Sequence, residues 1–211
     1  MFLTEDRREF SSTEQDLLLR IALASIQSGL EIKRPVAMRN EDYPGVLSDR
    51  RSSFVTLHAG EKLRGCIGSL EPWTTLAEDV SHNAYAAAFR DTRFLPLQAE
   101  ELSTLSVQVS ILSKPEILEV DSEASLLVKV RPGIDGLILQ EHARRGTFLP
   151  SVWNSLPEPA RFLDHLKLKT GLPVDYWSES IKVWRYTTES FAATVPSIRE
   201  KDWDYLAVIP K

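Results

Sequence analysis

The sequence predicts an α+β protein with a largely antiparallel sheet and flanking helices. Predicted helices and strands are interspersed along the chain, and the strands occur in hairpins without a regular strand-helix-strand repeat. The chain has 211 residues, of which 43% are hydrophobic and 26% are charged. This size and composition fit one globular domain or two small lobes with a substantial core.

The first predicted element is a helix that begins after Ser11. Ser11 and Glu14 have the spacing of a capping box, and apolar residues then recur at helical spacing over residues 17–26. Gly29 is expected to stop this helix. Residues 32–45 contain two prolines and mixed charge, so we expect an ordered loop there.

A β-hairpin is predicted next, with strands over residues 54–58 and 63–68. Regular pairing around a two-residue turn would place Cys66 opposite Val55. His58 would then lie three strand positions from the thiol, or roughly 10 Å away. This register argues against a direct pair between Cys66 and His58.

The later elements follow from the same kinds of pattern. A second capping box at Thr75 and Glu78 opens a helix, which is followed by a strand over 105–111 and a short helix over 123–130. Strands over 137–140 and 147–149 then surround a hairpin tip at 142–146. A helix opened by a capping box at 155–158 and ended by Gly171 precedes the last clear strand, over 181–187.

The composition of the chain disfavours several classes of protein, among them nucleic-acid-binding, disulfide-bonded and membrane proteins. The net charge of −5 disfavours non-specific binding to nucleic acid, which depends on a surplus of Lys and Arg. The single cysteine excludes an intrachain disulfide framework and fits a reducing compartment. The sequence shows no secretory signal pattern, and its apolar stretches are too short to cross a bilayer. We therefore expect a cytoplasmic protein without membrane contact.

The segment Leu-Arg-Gly-Cys-Ile-Gly at residues 63–68 carries the strongest chemical signal. Cys66 is a candidate catalytic nucleophile or redox-sensitive thiol, because Arg64 would favour the thiolate and the amides of Gly65 to Gly68 could hold an oxyanion. The structural alternative is a tight turn with a buried cysteine that behaves as a small hydrophobe.

Other polar groups give weaker indications. Asp91 and Arg93 could anchor a ligand, or they could cap the preceding helix and fix the loop through a salt bridge. Arg145 could clamp a carboxylate or phosphate, or it could belong to an exposed hairpin tip. His58 and His142 are the candidate bases for a cysteine nucleophile.

No metal or cofactor is expected. The sequence lacks the close ligand spacing of a zinc site, a phosphate-binding loop and a dinucleotide fingerprint. The adjacent acid and histidine at 141–142 and at 164–165 are interpreted as surface charges.

Four segments resemble, in order, the AMMECR family, also called AmmeMemoRadiSam system protein A. They are residues 63–68, 84–97, 131–137 and 145–150, and the similarity covers about residues 14–194. The resemblance implies a two-lobed α+β fold with a cleft near the cysteine motif. It places an AMMECR-like domain at 14–195, an N-terminal extension at 1–13 and a C-terminal tail at 196–211.

The resemblance also implies partners and site residues, but no particular reaction. The partners are a Memo-like protein and a radical S-adenosylmethionine (radical SAM) protein. At the hairpin tip, His142 and Ala143 stand where the family commonly has glycines, which leaves the backbone conformation there open. In the tail, Trp203 and the apolar residues after it could pack on the core or dock a partner. The residues carried over, besides Cys66, are Arg64, Gly65, Gly68, Asp91, Arg93 and Arg145.

Three functions are consistent with these observations. The leading hypothesis is a cytoplasmic cleft-type protein that binds a small anionic or polar ligand and acts with the Memo-like and radical SAM partners in a modification pathway. The alternative is an enzyme that uses Cys66 as its nucleophile. The second alternative is a protein-interaction module without a ligand.

Overall fold

The structure, a computed structural model, describes residues 9–38 and 45–200. It confirms a mixed fold of helices and antiparallel strands. The chain divides into two compact units, one formed by Met1–Leu112 and Glu189–Lys211 and the other by Ser113–Thr188. We call them unit 1 and unit 2. Each contains a four-stranded sheet and a hydrophobic core cluster of its own.

Unit 1 contains the sheet that carries the cysteine motif. Its strands lie in the order β2-β1-β3-β8, so β2 and β8 are the edge strands. The elements are α1 (Ser12–Ile32), β1 (Ser53–Ala59), β2 (Lys62–Gly68), α2 (Leu76–Phe89), β3 (Leu105–Leu112), β8 (Thr188–Thr194) and α5 (Val195–Glu200).

Unit 2 contains a sheet with the strand order β4-β7-β5-β6. In its core, the rings of Trp153 and Phe162 are stacked with centroids 3.8 Å apart. The elements are β4 (Glu116–Ile117), α3 (Glu123–Lys129), β5 (Gly136–Glu141), β6 (Arg144–Phe148), α4 (Pro159–Thr170) and β7 (Lys182–Tyr186).

Helix α1 begins as predicted but ends later. The amide of Glu14 donates to the Ser11 hydroxyl, and the amide of Ser11 donates to the Glu14 carboxylate, which confirms the capping box. The helix continues past Gly29 to Ile32. A Cβ at Gly29 would lie 2.1 Å from the Phe89 ring of α2. This glycine therefore permits close helix packing and does not stop the helix.

The predicted register of the cysteine hairpin is wrong by one residue. His58 pairs with Leu63 as expected, but a bulge follows and Cys66 pairs with Thr56 instead of Val55. A bulge adds one residue to one strand of a pair. Because strand side chains alternate between faces, the extra residue moves Cys66 from the core side of the hairpin to its outer face.

Two other predicted capping boxes are absent. Thr75 is the N-cap of α2, but its side chain accepts no cap hydrogen bond, and the Thr74 hydroxyl bonds to Glu78 instead. Helix α4 starts after Glu158, which is its N-cap and lacks a side-chain cap. Gly171 ends α4 with φ of 79°, as the sequence predicts.

The hairpin of unit 2 is tighter than predicted. Only His142 and Ala143 separate β5 from β6, so Arg144 and Arg145 lie on a strand and not at the tip. His142 adopts φ of 53°, a left-handed conformation more often found in glycine. The tip therefore forms without glycine, because His142 itself adopts the left-handed conformation.

The end of the chain differs from the prediction as well. Strand β8 and helix α5 follow the strand that the sequence indicates as the last clear one. Residues 201–211, which include Trp203, lie outside the described residues. Within the described ranges, the structure has no helix with the length and apolar character needed to span a bilayer.

Candidate functional site

Cys66 lies on the edge strand β2 with its side chain on the outer face of the unit 1 sheet. On the neighbouring strand, Val55 and Leu57 are fully buried in the core, whereas Thr56 between them is half-buried on the opposite face. The Thr56 hydroxyl donates to Sγ of Cys66 at 3.3 Å. The thiol itself is partly exposed.

Polar side chains surround the thiol on this outer face. The register places Gln108 opposite Thr56 on β3, and Ser110 lies two residues further along the same face. All are half-buried. We call this surface the Cys66 face and define it by five residues: Thr56, His58, Cys66, Gln108 and Ser110.

Asp91 and Arg93 hold the backbone of Cys66 from the open side of the edge strand. Oδ2 of Asp91 accepts the Cys66 amide at 2.9 Å, and Nη2 of Arg93 donates to the Cys66 carbonyl at 3.1 Å. The guanidinium also binds the carboxylate at 2.7 and 2.9 Å. The pair thus replaces the neighbouring strand that β2 lacks, and it leaves the Cys66 amide unable to serve an oxyanion.

The same contacts set the charges of the pair. The Arg93 guanidinium holds the pKa of Asp91 well below its usual range, and the Cys66 amide adds to this effect against the cost of burial. Hydrogen bonding to Asp91 raises the pKa of Arg93. Only 4% of the Asp91 side chain is exposed, against 54% for Arg93. Both groups are therefore charged and mutually compensated at neutral pH.

We expect Asp91→Ala to lower the free energy of unfolding by about 2–3 kcal/mol, because the Cys66 amide and the Arg93 guanidinium lose this carboxylate as their acceptor. Since the folded-state pKa of Asp91 is depressed, its contribution is present above the unfolded value of about 4 and is lost as pH falls below it. Urea unfolding across pH should show the wild-type advantage shrinking in acid. Glu100→Ala, which removes an exposed carboxylate from the same segment, is the control. An advantage that stays constant with pH would contradict the prediction.

Arg64 is bound to a carboxylate and not directed at the thiol. Its Nε and Nη2 donate to the two oxygens of Glu101 at 2.7 and 3.1 Å, and Nη2 also donates to the Leu95 carbonyl at 3.0 Å. The hydrogen bond with Glu101 raises the pKa of Arg64, and the same bond lowers the pKa of Glu101. The sequence prediction missed Glu101, which lies 37 residues away and carries no motif.

The two glycines of the motif have packing roles. A Cβ at Gly65 would lie 2.1 Å from the Ala87 carbonyl oxygen of α2, and one at Gly68 would lie 2.2 Å from the Phe54 ring. Neither glycine has a positive φ. The close neighbour is therefore the protein itself at both positions, and ligand contact at Gly65 and Gly68 stays a prediction.

The histidines divide between the two units. The bulge brings Cys66 to the face that carries His58, which lies diagonally two positions from the thiol instead of three, or about 7–8 Å away. His142 lies in unit 2, as does Arg145, which pairs with Gln140. The prediction that Glu141 is a surface charge is wrong, because this residue is only 3% exposed.

The segment at residues 131–137 is a structural turn. The carboxylate of Asp135, fully buried, accepts the Arg131 amide at 2.9 Å and its guanidinium at 2.6 Å. The Asp135 carbonyl accepts Nε1 of Trp153 at 2.7 Å. The arginine and the aspartate of this segment therefore have structural partners, and no ligand is needed to explain their presence.

Comparison with known proteins decides the relationship. The family model AMMECR1 matches residues 19–191. The chain belongs to the AMMECR1 family. This match confirms the resemblance of the four segments, since all of them lie within it.

Relatives of this AMMECR1 protein come from archaea. Protein MJ0810 of Methanocaldococcus jannaschii is 38% identical over 191 residues, covering 87% of this chain and 92% of the relative. A protein of Thermofilum pendens is 38% identical over 202 residues, covering 88% and 92%. The crystal structure of the uncharacterized protein PH0010 from Pyrococcus horikoshii is similar with a TM-score of 0.74 and 34% identity, covering 84% of this chain and 90% of that one.

Proposed function

We propose that this AMMECR1 protein is a cleft-type binding protein whose small polar ligand contacts the Cys66 face. In this proposal it acts in the cytoplasm with Memo-like and radical SAM partners in a modification pathway. The observation that carries the ligand part is the fixed backbone of Cys66 beside half-buried polar side chains. The partners rest on the resemblance to the AmmeMemoRadiSam system.

The side chains of the Cys66 face favour a polar ligand over a strongly anionic one. Hydroxyl, amide, imidazole and thiol groups offer both donors and acceptors. Arg64 within the motif and Arg93 beside it each bind a carboxylate, so their charges are compensated. The resemblance also implies a ligand contact at Arg145, which lies in unit 2 and stays a prediction apart from the Cys66 face.

The contacts of Asp91 and Arg93 to the Cys66 backbone support ligand binding by preorganising the site. A site whose groups are already held in place loses less conformational entropy when its ligand binds. Asp91 and Arg93 fix the strand at Cys66 from one side, and pairing with Thr56 fixes it from the other. The thiol is thus presented from a rigid strand.

The test is mass spectrometry of small molecules released by denaturing the natively purified protein. We expect a polar molecule with the wild type and about tenfold less with Gln108→Ala or Cys66→Ala, because each removes a polar contact worth about 1.4 kcal/mol. Ser197→Ala, an exposed serine outside the face, is the matched control and should retain the molecule. Equal recovery from all variants, or no molecule at all, would reject the binding site.

The second candidate function is a cysteine-dependent enzyme. It is favoured by the Thr56 hydroxyl that donates to Sγ and by the bulge that places His58 on the same face. A nucleophilic Cys66 would react with iodoacetamide at neutral pH faster than glutathione does, and His58→Ala would slow it. A rate no faster than that of glutathione counts against catalysis.

A partner pull-down that is lost with Cys66→Ala and Arg64→Ala, without any released molecule, would instead favour an interaction module.

A further inference from the structure

Glu141 of unit 2 has an unusual environment for a carboxylate. It is the last residue of β5, at the hairpin tip, and is only 3% exposed. Its Oε1 accepts hydroxyl hydrogen bonds from Tyr176, Ser178 and Ser180, each at 2.8 Å. Four oxygen atoms therefore converge on one small volume.

The second carboxylate oxygen has no partner. Oε2 of Glu141 is buried and makes no hydrogen bond in the structure. Arg144, its cross-strand neighbour, donates to the Gly171 carbonyl instead. Among the described residues, the ion-pair neighbour of Glu141 is His142, whose Nε2 lies 3.6 Å away on a side chain that is 79% exposed.

The carboxylate is nevertheless in its charged form. Burial opposes ionisation, but the three hydroxyl donors outweigh it and hold the pKa of Glu141 below its ordinary value. A buried anion is costly unless it is paired or coordinates a cation. Because Oε2 of this buried anion has no hydrogen-bond partner, we expect an additional positively charged group next to it.

We propose that Glu141 and the three hydroxyls bind a monovalent cation, Na⁺ or K⁺. Both carboxylate oxygens would contact the ion, which supplies the missing partner of Oε2. The hydroxyls would rotate to present their lone pairs, and the ion would then stabilise the charged carboxylate in place of the three donated hydrogen bonds. Oxygen ligands suit hard cations of this kind.

Charge and ligand type select the ion. One carboxylate and three neutral hydroxyls balance a single positive charge, whereas a divalent ion would leave an uncompensated charge in a buried site. The described part of the chain contains no cluster of three or more His, Cys, Asp or Glu residues that could hold a metal ion, so the proposed site depends on a single carboxylate with neutral hydroxyls. The exposed Ser180 offers a route for the ion from solvent.

The expected role of the ion is structural. It would join the β5–β6 hairpin tip to the loop at residues 176–180, which leads into β7. Binding to the folded state alone raises the melting temperature in proportion to the logarithm of ion concentration above the dissociation constant. The full chain should therefore be stabilised by the ion itself, beyond the effect of ionic strength.

Thermal unfolding of the full chain in NaCl, KCl and choline chloride at equal ionic strength tests the proposal. At about ten times the dissociation constant, we expect the melting temperature to rise by about 3 °C or more in NaCl or KCl relative to choline chloride. Whichever salt gives the larger rise identifies the preferred ion. Equal melting temperatures in the three salts would overturn the proposal.

Variants separate this site from general salt effects. Glu141→Gln should lose the ion-specific rise, and Ser180→Ala, which removes one exposed hydroxyl, should require about tenfold more ion for the same rise. Glu179→Gln removes a neighbouring exposed acid and should behave as wild type. If Glu141→Gln does not fold, the Ser180→Ala result decides. An unchanged ion dependence in Ser180→Ala would reject the assignment.

Discussion

Gly65→Ala is expected to destabilise the protein by about 3 kcal/mol, the upper part of the usual range for overpacking. The added Cβ would lie 2.1 Å from the carbonyl oxygen of Ala87 and 3.0 Å from its carbonyl carbon. Both atoms belong to the backbone of α2, which cannot move without disturbing the helix. Relief therefore requires β2 and α2 to separate.

Gly68→Ala is the matched comparison for this prediction. Its Cβ would meet the ring of Phe54, a half-buried side chain on the sheet. A ring can change rotamer, so we expect a smaller loss of about 1 kcal/mol. Urea unfolding of both variants measures the difference. Equal losses would show that α2 yields as easily as a side chain and would contradict the packing role of Gly65.

This comparison bears on the function of the motif. Two glycines around a cysteine indicate a ligand-binding backbone when only the sequence is considered. The structure places the body of the protein against both glycines, and Asp91 and Arg93 against the cysteine backbone. The proposed function therefore depends on the side-chain face, that is, on the thiol and its polar neighbours.

The elements with strong local signals could be predicted from the sequence. Helix α1 has a capping box and an apolar stripe, and β3 alternates buried and half-buried residues up to its last residue. Strand β8 could not be found in this way. It contains one large apolar residue, Phe191, whose packing against the core becomes evident only when the neighbouring strand is in place.

The site was less predictable because it depends on the bulge and on distant partners. A bulge changes register by one residue, and Gly65 directly after it is a residue type that favours a bulge without fixing its position. The sequence indicates Arg64 as a candidate ligand contact by its type, which stays a prediction, whereas its partner Glu101 follows from tertiary structure. Asp91 and Arg93 could be predicted to pair because they are two residues apart, whereas their contacts to Cys66 could not.

Asp79→Ala is expected to have the largest effect of the substitutions considered, about 3–5 kcal/mol of lost unfolding free energy. Asp79 lies in the first turn of α2 and is fully buried. Its carboxylate accepts the amide and hydroxyl of Ser53, both at 2.7 Å. It also accepts side-chain donors from Ser69, Trp73 and Asn83.

The physical reason is the number of donors that lose one acceptor. Burial raises the pKa of Asp79 above its usual value, and the donors from Ser69, Ser53 and Trp73 oppose that shift in part by favouring the charged form. Alanine would remove an acceptor from five donors, which are the Ser53 amide and hydroxyl and side-chain groups of Ser69, Trp73 and Asn83. Asn83 also donates to the Ser53 carbonyl and keeps that partner. These donors connect β1 and the loop after β2 to α2. The loss therefore exceeds that of a single hydrogen bond.

Glu78→Ala is the matched control, because it removes the adjacent acid from the same helical turn. Glu78 is partly exposed and its carboxylate accepts the Thr74 hydroxyl, so we expect a loss of less than about 1 kcal/mol. Urea unfolding of both variants, with amide hydrogen exchange over β1 and α2, measures the difference. Comparable losses would mean that the shared interaction with the helix dipole, and not the buried network around Asp79, determines the effect. A large loss confined to Asp79→Ala, with faster exchange in β1, would show that this carboxylate fastens the sheet carrying Cys66 to the helix behind it.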